Sequence, residues 1–415
     1  MRTLPSEGWT SYDDWDYNGM KERIQATIDN INKAVLIRHA ERIKGQKVVM
    51  SQPFSAGQYW ICFELVSEDG SLVIARVRLP RHPDAPVARS EEDEAYAIAC
   101  EITTMEFVKQ RLPHIPVPHV YAYEAPGSQL AADAGAVYML LEGLYGNTLQ
   151  DVEPDICNLP ATTQEHIMAQ WTKVQAELAT ISCPQIGSIC SISKTGNPVL
   201  GRLASSFGEL EDPGPFSNAI DYFTAAANAA AGGPDSSAKL GAFVFRDIVR
   251  KTPLFRDGNG SYPFSHMDLG GQNILVDNRF NFVGIIDWEF AQTAPWEVNH
   301  YPMPFPLAET DVEGILKDPS HIAYRNVLKQ DFSRRIYLQK FQEAEERLKA
   351  EGRFLGGSFV DTLTGTASKI YACFTTLGRH PQNDVNVIRE MARLAFNLSN
   401  DEVEEYIRGI KQSTS

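Results

Sequence analysis

The sequence predicts an α+β fold with two lobes, a small first lobe of antiparallel strands plus one helix and a larger, mainly helical second lobe. The 415 residues exceed the length at which a single hydrophobic core usually divides. Strand-like apolar runs are concentrated before about residue 143, and helical patterns dominate afterwards. We therefore expect an N-terminal arm and helix at 1–47, a first lobe at 48–143 and a second lobe at 144–415.

Apolar spacing defines the arm and the start of the sheet. Steps of three or four residues, typical of a helix, separate Ile24, Ile28, Ile31 and Val35. Two apolar runs, 59–66 and 72–79, flank a polar turn that contains Gly70. Glycine accepts a positive φ without strain, so these runs predict a β-hairpin.

A helix and a buried strand complete the first lobe. The helix is predicted at about 91–112, since one stripe carries Glu101, Met105, Val108 and Leu112, and Pro113 stops it. The apolar run 136–141 predicts the strand, which ends at 142–147.

Helix start signals recur in the second lobe. Thr162 and Glu165 have the spacing of a capping box. Ser217 is expected to cap an Ala-rich helix over 217–231, and Asp331 to cap a long charged helix.

Composition excludes several classes of protein. A formal net charge of -15 argues against nucleic acid as a partner, because phosphate backbones require concentrated Lys and Arg, but it is compatible with a cationic small molecule. No uncharged apolar run is long enough to span a bilayer, and the start does not have the pattern of a signal peptide. The six cysteines are scattered without a C-x-x-C pair. We expect a cytoplasmic protein with reduced thiols and no membrane partner.

A polar loop followed by a hairpin carries the first candidate site. The loop reads SHMDLGGQN at 265–273, and the apolar runs 274–276 and 282–286 follow it. Asn273 and Asp287 lie at equal distances from Phe280, so a hairpin centred there brings them side by side. Their oxygen atoms suit Mg²⁺, which takes few protein ligands. A third carboxylate, Asp268, is available to accept a proton from an alcohol.

The spacing His266-x-Asp268-x-x-x-x-Asn273 is that of a kinase catalytic loop, where the Asp orients a hydroxyl and the Asn holds a metal ion. The alternative is a polar loop that merely caps the hairpin. We favour the catalytic interpretation because loop, hairpin and exit carboxylate occur in order.

A kinase-like site also requires a cation on a strand, held by a carboxylate on a helix. Arg76 and Arg78 lie on the same face of the second hairpin strand. Glu101 lies on the apolar stripe of the helix, where an unpaired carboxylate is costly, so we expect an Arg76–Glu101 pair. Arg78 as the phosphate contact and Glu94 as the helix partner are the alternatives.

The phosphate-covering loop is expected just before the first strand of the hairpin, at Ser55 to Gly57, with a single glycine. A Walker-type loop is absent from the sequence.

Four stretches resemble the aminoglycoside phosphotransferase family, which is related to choline kinases and more distantly to protein kinases, and in particular its fungal members. They are EITTMEFVKQRLPHIPVPHVYAYE, YMLLEGLYGNTL, HMDLGGQNILVD and GIIDWEFA, and the resemblance extends over about residues 50–295. It implies a two-lobed protein kinase-like fold.

The resemblance also implies roles for residues. Asp268 is the expected catalytic base, His266 braces the catalytic loop, and Asn273 and Asp287 are the expected Mg²⁺ ligands. Glu142 to Leu144 is the expected hinge, whose backbone meets adenine. Arginine takes the place of the usual strand lysine, as in choline kinases.

The leading hypothesis is therefore an enzyme that transfers the γ-phosphate of ATP, with Mg²⁺, to a hydroxyl of a small and perhaps amine-bearing acceptor. The alternatives are a nucleotide-binding but catalytically silent scaffold and, because no Ala-Pro-Glu activation segment follows Asp287, less readily a protein kinase. No motif specifies the acceptor or an oligomeric state.

Overall fold

The chain divides into two compact units in a computed structural model. The first consists of Met1–Pro154 with Leu269–Glu289, and the second of Asp155–Asp268 with Phe290–Ser415. The structure describes residues 4–8, 20–57, 59–80, 90–205, 210–233, 236–256, 260–302, 312–379 and 381–414.

The helices and strands of the described residues are numbered in chain order. The strands are β1 Val48–Ala56, β2 Trp60–Ser67, β3 Leu72–Arg78, β4 Val120–Glu124, β5 Tyr138–Gly143, β6 Asn147–Thr148, β7 Ser182–Cys183, β8 Ser188–Ile192, β9 Pro198–Gly201, β10 Tyr262–Ser265, β11 Ile274–Val276, β12 Phe282–Ile285 and β13 Gln292–Thr293. The helices are α1 Pro5–Gly8, α2 Met20–Asn30, α3 Lys33–Lys44, α4 Glu91–Arg111, α5 Gln129–Ala134, α6 Leu149–Val152, α7 Ala161–Ala179, α8 Ala219–Ala231, α9 Ser236–Lys251, α10 Val312–Lys317, α11 Tyr324–Ala350, α12 Phe359–Thr364, α13 Thr366–Thr376, α14 Pro381–Phe396 and α15 Asn400–Thr414.

The first unit is built on a five-stranded antiparallel sheet in the order β1-β2-β3-β5-β4. Alternate residues of its strands point to opposite faces. One face is apolar and packs against α2 and α3, with members such as Ile61, Phe63, Val73 and Leu140 almost completely buried. The opposite face, called here the Arg76 face, carries Trp60, Cys62 and Glu64 of β2, Leu72, Ile74, Arg76 and Arg78 of β3, and Met139, Leu141 and Gly143 of β5.

A second sheet of the first unit has the order β12-β11-β6. Its hairpin turn is closed by Asp277, whose Oδ1 accepts hydrogen bonds from the backbone amides of Arg279 at 2.8 Å and Asn281 at 2.9 Å. Side-chain oxygens that bond backbone amides two and four residues on stabilise such turns. The hairpin therefore stands in a defined register beside Asn147 and Thr148 of β6.

The second unit is mainly helical. Its core includes Phe223 and Phe245 of α8 and α9 together with Tyr371 of α13, whose rings make edge contacts. Trp171 of α7 packs edge-on against Tyr337 of α11. Short strands β7, β10 and β13 form a three-stranded sheet at the position of the catalytic-loop sequence. Among the described residues, every helix is too short or too polar to cross a lipid bilayer.

The predicted α+β class, with an antiparallel sheet and a helix followed by a mainly helical part, is confirmed. Two details of the first unit differ from the prediction. The single N-terminal helix is two helices, α2 and α3, interrupted where the amide of Asn32 donates to the carbonyl of Ala134. A strand, β1, precedes the predicted hairpin. It contains Pro53 and a register irregularity, which an edge strand tolerates and which obscure its pattern in the sequence.

Three predicted helix caps in the second unit are wrong by between one and several residues. The cap of α8 is Asn218 and not Ser217, because Asn218 has extended backbone angles and its Oδ1 accepts the Asp221 amide at 2.9 Å. Helix α7 begins at Ala161, so Thr162 lies within its first turn. Helix α11 begins at Tyr324, and Asp331 lies inside it, paired with an arginine one turn later.

Candidate active site

The guanidinium group of Arg76 joins three elements of the first unit. Its Nη1 donates to Oε1 of Glu101 on α4 at 2.7 Å, and its Nη2 lies 3.4 Å from Oδ1 of Asp287, just after β12. The face of the group lies over the Trp60 ring, with Cζ 4.9 Å from the ring centroid. The predicted Arg76–Glu101 pair is thus present, and the carboxylate of Asp287 lies on the other side of the same guanidinium.

A second pair runs parallel to the first. Nε of Arg78 donates to Oε1 of Glu94 at 2.7 Å, and the Arg78 guanidinium lies against the rings of Tyr59 and Trp60. The two alternative residues of the sequence argument therefore pair with each other. Their pair is more exposed, since the Glu94 side chain is 42% exposed and that of Glu101 only 1%.

Burial and charge set the protonation of the inner pair. Burial lowers the pKa of Arg76, but the carboxylates of Glu101 and Asp287 outweigh it and the net pKa lies above its ordinary value. Burial raises the pKa of Glu101, while the guanidinium of Arg76 opposes that shift. Burial also raises the pKa of Cys62, directly across the ladder from Arg76, to about 11, so this thiol is neutral. Arg76 is therefore a permanent cation on this face.

Asn273 and Asp287 stand at the two ends of the β11–β12 hairpin, but not directly opposite each other as predicted. The ladder pairs Ile274 with Ile285, and the carbonyl of Asn273 accepts the amide of Ile286 at 3.0 Å. The turn is centred on Arg279, since Val276 pairs with Phe282, and the register irregularity between Leu275 and Val276 restores only part of the offset from the predicted centre at Phe280. Asp287 is the next residue, held in the left-handed region with φ 65°. Such a conformation is uncommon outside glycine and is concentrated at functional sites.

The residues around Asp287 fit a divalent cation of the Mg²⁺ type. Asn273 and Asp287 supply hard oxygen donors, and Mg²⁺ is usually held by one or two carboxylates and completed by water and phosphate oxygens. Burial, followed by the charges of Asp287 and Glu101, raises the pKa of Glu289 to about 8, against the opposing charges of Arg76 and Arg78. Within the part of the chain that the structure describes, no three Asp, Glu, His or Cys side chains form a complete protein cage for a metal.

His266 and Asp268, the residues predicted to form the catalytic loop, follow strand β10 in the second unit. His266 is buried, with 1% of its surface exposed, and Asp268 is partly exposed. Met267 between them has φ 63°, and its amide donates to the Ser265 hydroxyl at 3.2 Å. On either side of this tight backbone, His266 is buried and Asp268 is half-buried.

The predicted hinge lies at the end of β5. The side chain of Glu142 accepts from Nζ of Lys109 at 3.0 Å and from the His119 amide at 2.9 Å, and these bonds lower its pKa against the opposing effect of burial. Leu144 packs over Gly284 of β12, where an added Cβ would come within 2.5 Å of its Cδ1. The segment from Glu142 to Leu144 is therefore held at both ends within the first unit.

The segment predicted as the phosphate loop lies just before β2, the first strand of the predicted hairpin, as expected. Ser55 belongs to strand β1, opposite Cys62, and the Gly57 amide donates to the Trp60 carbonyl at 2.8 Å. Ser55 and Gly57 thus flank the β1–β2 turn. Gln58 lies outside the described residues.

Sequence reasoning missed two residues that shape this site. Trp60 lies under both arginines, and Lys109 holds Glu142. The position of Trp60 could have been predicted, because it lies two residues before Cys62 and therefore on the strand face that carries Arg76. The contact of Lys109 with Glu142 could not, because it joins a helix to a strand and no sequence periodicity relates the two.

The comparisons with known proteins agree with this geometry. The profile of the family described as "Phosphotransferase enzyme family" matches residues 63–298, more than half of the chain. The chain belongs to this family. The predicted membership and the kinase-like fold are thereby confirmed, and the coarse activity of the family is phosphoryl transfer. No curated protein sequence matches the chain significantly.

Several solved structures are similar in fold. A protein assigned as a fructosamine-3-kinase from Thermobifida fusca has 13% identity and a TM-score of 0.44, with 87% of this chain and 98% of that chain covered. A macrolide 2'-phosphotransferase type I has 12% identity and a TM-score of 0.43, with coverages of 87% and 97%. An amicoumacin kinase in complex with AMP-PNP, Ca²⁺ and its ligand has 11% identity and a TM-score of 0.40, with coverages of 90% and 96%. These TM-scores carry no functional argument.

Proposed function

We propose that this family member is an ATP- and Mg²⁺-dependent kinase that phosphorylates a hydroxyl group of a small molecule. The observation that carries the proposal is the guanidinium of Arg76, which lies between Glu101 on α4 and Asp287 after β12. A cation held by a helix carboxylate next to a metal-binding carboxylate is the arrangement that phosphoryl transfer requires.

The chain's own residues would divide the work as follows. Arg76, fixed by Glu101, would contact phosphate oxygens of ATP through its planar fork. Asn273 and Asp287 would hold Mg²⁺, which when bound neutralises phosphate charge. The backbone from Glu142 to Leu144 would meet the adenine ring, and Ser55 and Gly57 at the β1–β2 turn would lie over the phosphates.

Asp268 would be the catalytic base, with the kinase-loop spacing from His266 to Asn273 as its support, and His266 would brace the loop. The acceptor oxygen forms a bond to the γ-phosphorus as the bond to the β–γ bridging oxygen breaks. The hydroxyl proton passes to the Asp268 carboxylate, and ADP leaves. An acceptor bearing an amine is compatible with the net charge of -15.

The test combines binding and turnover. We expect ATP to raise the melting temperature in the presence of Mg²⁺ more than in its absence. ATP turnover is then measured with a panel of amines, sugars and amino alcohols, and Asp268→Asn should lower kcat by at least about a hundredfold while ATP binding persists. If nucleotide binding does not depend on Mg²⁺, the proposal is wrong. If nucleotide binds but phosphate is transferred to no acceptor, the catalytically silent scaffold is favoured.

A matched pair of variants tests the phosphate contact. Arg76→Gln should weaken ATP binding by roughly tenfold or more, because a charge-assisted bond to phosphate is lost. Arg78→Gln, two residues away on the same face, should change ATP affinity much less. Equal losses in both variants would contradict the assignment of Arg76.

A further inference from the structure

The segment Leu4–Gly8 is tied to the first unit by three hydrogen bonds. The amide of Ser6 donates to Oε2 of Glu64 at 3.2 Å, and the Ser6 hydroxyl donates to Oε1 of the same carboxylate. Nδ2 of Asn147 donates to the Pro5 carbonyl at 3.0 Å. Pro5 is buried by these contacts, and Glu64 is only 1% exposed. The segment is therefore a docked part of this unit.

The docking position lies on the Arg76 face. Glu64 alternates with Cys62 along β2, and Cys62 stands directly across from Arg76. Glu64 itself stands across from Ile74, which in turn stands across from Leu141. Two residues along a strand span about 7 Å, so Ser6 binds about that far along the strands from the level of Arg76.

The direction of this offset is toward the hinge. Moving from Arg76 to Ile74 and on to Leu72 along β3 leads to Gly143, the residue opposite Leu72 at the end of β5. Asn147, the other anchor of the segment, follows shortly after in β6. The segment thus covers the end of the face where the proposed function puts the nucleobase, and leaves Arg76 at the phosphate end.

Glu64 is more deeply buried than Cys62 and Ile74, its neighbours along and across the strands of this face. Cys62, Ile74 and Arg76 remain partly exposed, whereas Glu64 is buried. A carboxylate shielded from water is costly unless it accepts hydrogen bonds, and Ser6 supplies two. Removal of the segment would expose Glu64 to solvent and open the face from the hinge to Arg76.

We propose that Leu4–Gly8 is an internal occupant of the nucleobase end of the Arg76 face, and that a nucleotide must displace it to bind. This inference rests on the proposed function. In the closed state the segment is bound to Glu64 and Asn147, and in the open state it is detached. The apparent dissociation constant for nucleotide equals the intrinsic constant of the open state divided by the fraction of molecules that are open. Any change that detaches the segment therefore tightens nucleotide binding.

Two variants detach the segment in different ways. A chain lacking residues 1–8 removes it, and Ser6→Asp places a second carboxylate against Glu64. Both should bind AMP-PNP with Mg²⁺ about 5- to 30-fold more tightly than the unmodified chain, as measured by calorimetry. Ser6→Thr, which keeps the hydroxyl, should retain the original affinity. Ser413→Asp, an exposed change in α15 of the other unit, is the charge-matched control.

Hydrogen exchange gives a readout that does not depend on folding of a variant. Saturation of the unmodified chain with AMP-PNP should accelerate exchange of the Ser6 amide as its bond to Glu64 is lost. Slower exchange of that amide, or weaker nucleotide binding after deletion, would show that the segment helps to bind nucleotide and would overturn the inference. Equal affinity with and without the segment would also overturn it while leaving the proposed function intact. If neither the unmodified chain nor any variant binds nucleotide, both this inference and the proposed function are wrong.

Discussion

Removal of the Glu101 carboxylate tests how firmly the structure holds Arg76. The Glu101 side chain is 1% exposed and that of Arg76 is 12% exposed, so the pair is shielded from solvent. Removing one partner of a buried ion pair costs about 3–5 kcal/mol, because the other charge is left without compensation. Arg76 keeps Asp287 at 3.4 Å and the Trp60 ring, which offset part of the loss. We expect Glu101→Leu to lower the free energy of unfolding by about 2–4 kcal/mol.

The double variant separates charge from packing. Arg76→Met combined with Glu101→Leu replaces both charges by apolar groups of similar length, and such replacements are often close to neutral. We expect the double variant to lose less than about 2 kcal/mol, which is less than Glu101→Leu alone. Glu94→Ala in the parallel pair should cost under about 1 kcal/mol, because Glu94 is 42% exposed and solvent screens its charge.

Urea unfolding of the unmodified chain, Arg76→Met, Glu101→Leu, the double variant and Glu94→Ala measures these differences, and hydrogen exchange of β3 amides assigns them to the first unit. If the two single-variant losses simply add in the double variant, the pair is not coupled. That result would refute the argument that Glu101 holds Arg76 through charge.

Two further predictions concern the sheet of the first unit. Burial lowers the pKa of His39, whose Nδ1 lies 2.8 Å from the Tyr138 hydroxyl, so the unfolded chain binds the proton more readily. The free energy of unfolding should keep its full value above about pH 6.5 and decrease as the pH falls below it, with a smaller decrease in His39→Gln. If the urea midpoints of the unmodified chain and of His39→Gln change equally between about pH 7.5 and 5.5, the prediction is wrong. In Gly143→Ala the new Cβ would lie 2.3 Å from Cβ of Leu72, so β3 and β5 must separate at about 1–3 kcal/mol. Gly409→Ala, with open space around it in α15, should not lower the melting temperature.

The ion pairs of the Arg76 face show what periodicity predicts and where it stops. Strand alternation identifies Arg76 and Arg78 as neighbours on one face, and helical steps place Glu94 and Glu101 on one stripe. Periodicity cannot choose between the possible pairings, since either arginine could reach either glutamate. In the structure two pairs form side by side, Arg76 with Glu101 and Arg78 with Glu94. Two residues on a strand span about 7 Å and seven on a helix about 10.5 Å, and the long arginine side chains bridge the difference between these spacings.

The hairpin shows a second limit. The sequence indicates two strands joined by a polar turn, and both are present. The predicted centre at Phe280 is displaced because the turn is centred one residue earlier, on Arg279, and a register irregularity between Leu275 and Val276 restores only part of that offset. A period of two in the sequence reveals neither feature. As a result Ile286, and not Asp287, bonds to Asn273. The positive φ of Asp287 then sets the direction of its carboxylate, and only the folded backbone shows that angle.

Glu64 extends the same reasoning to a contact that no local pattern contains. It lies in the apolar run of β2 as Glu101 lies on the apolar stripe of α4, and in both places a buried carboxylate requires hydrogen-bond donors. For Glu101 strand alternation narrows the donor to Arg76 or Arg78. For Glu64 it comes from Ser6, in a segment with no periodic relation to the sheet. A carboxylate within a buried apolar run therefore predicts that a hydrogen-bond donor lies nearby. When the neighbouring strands and helices supply no donor, we expect it to come from a segment elsewhere in the sequence.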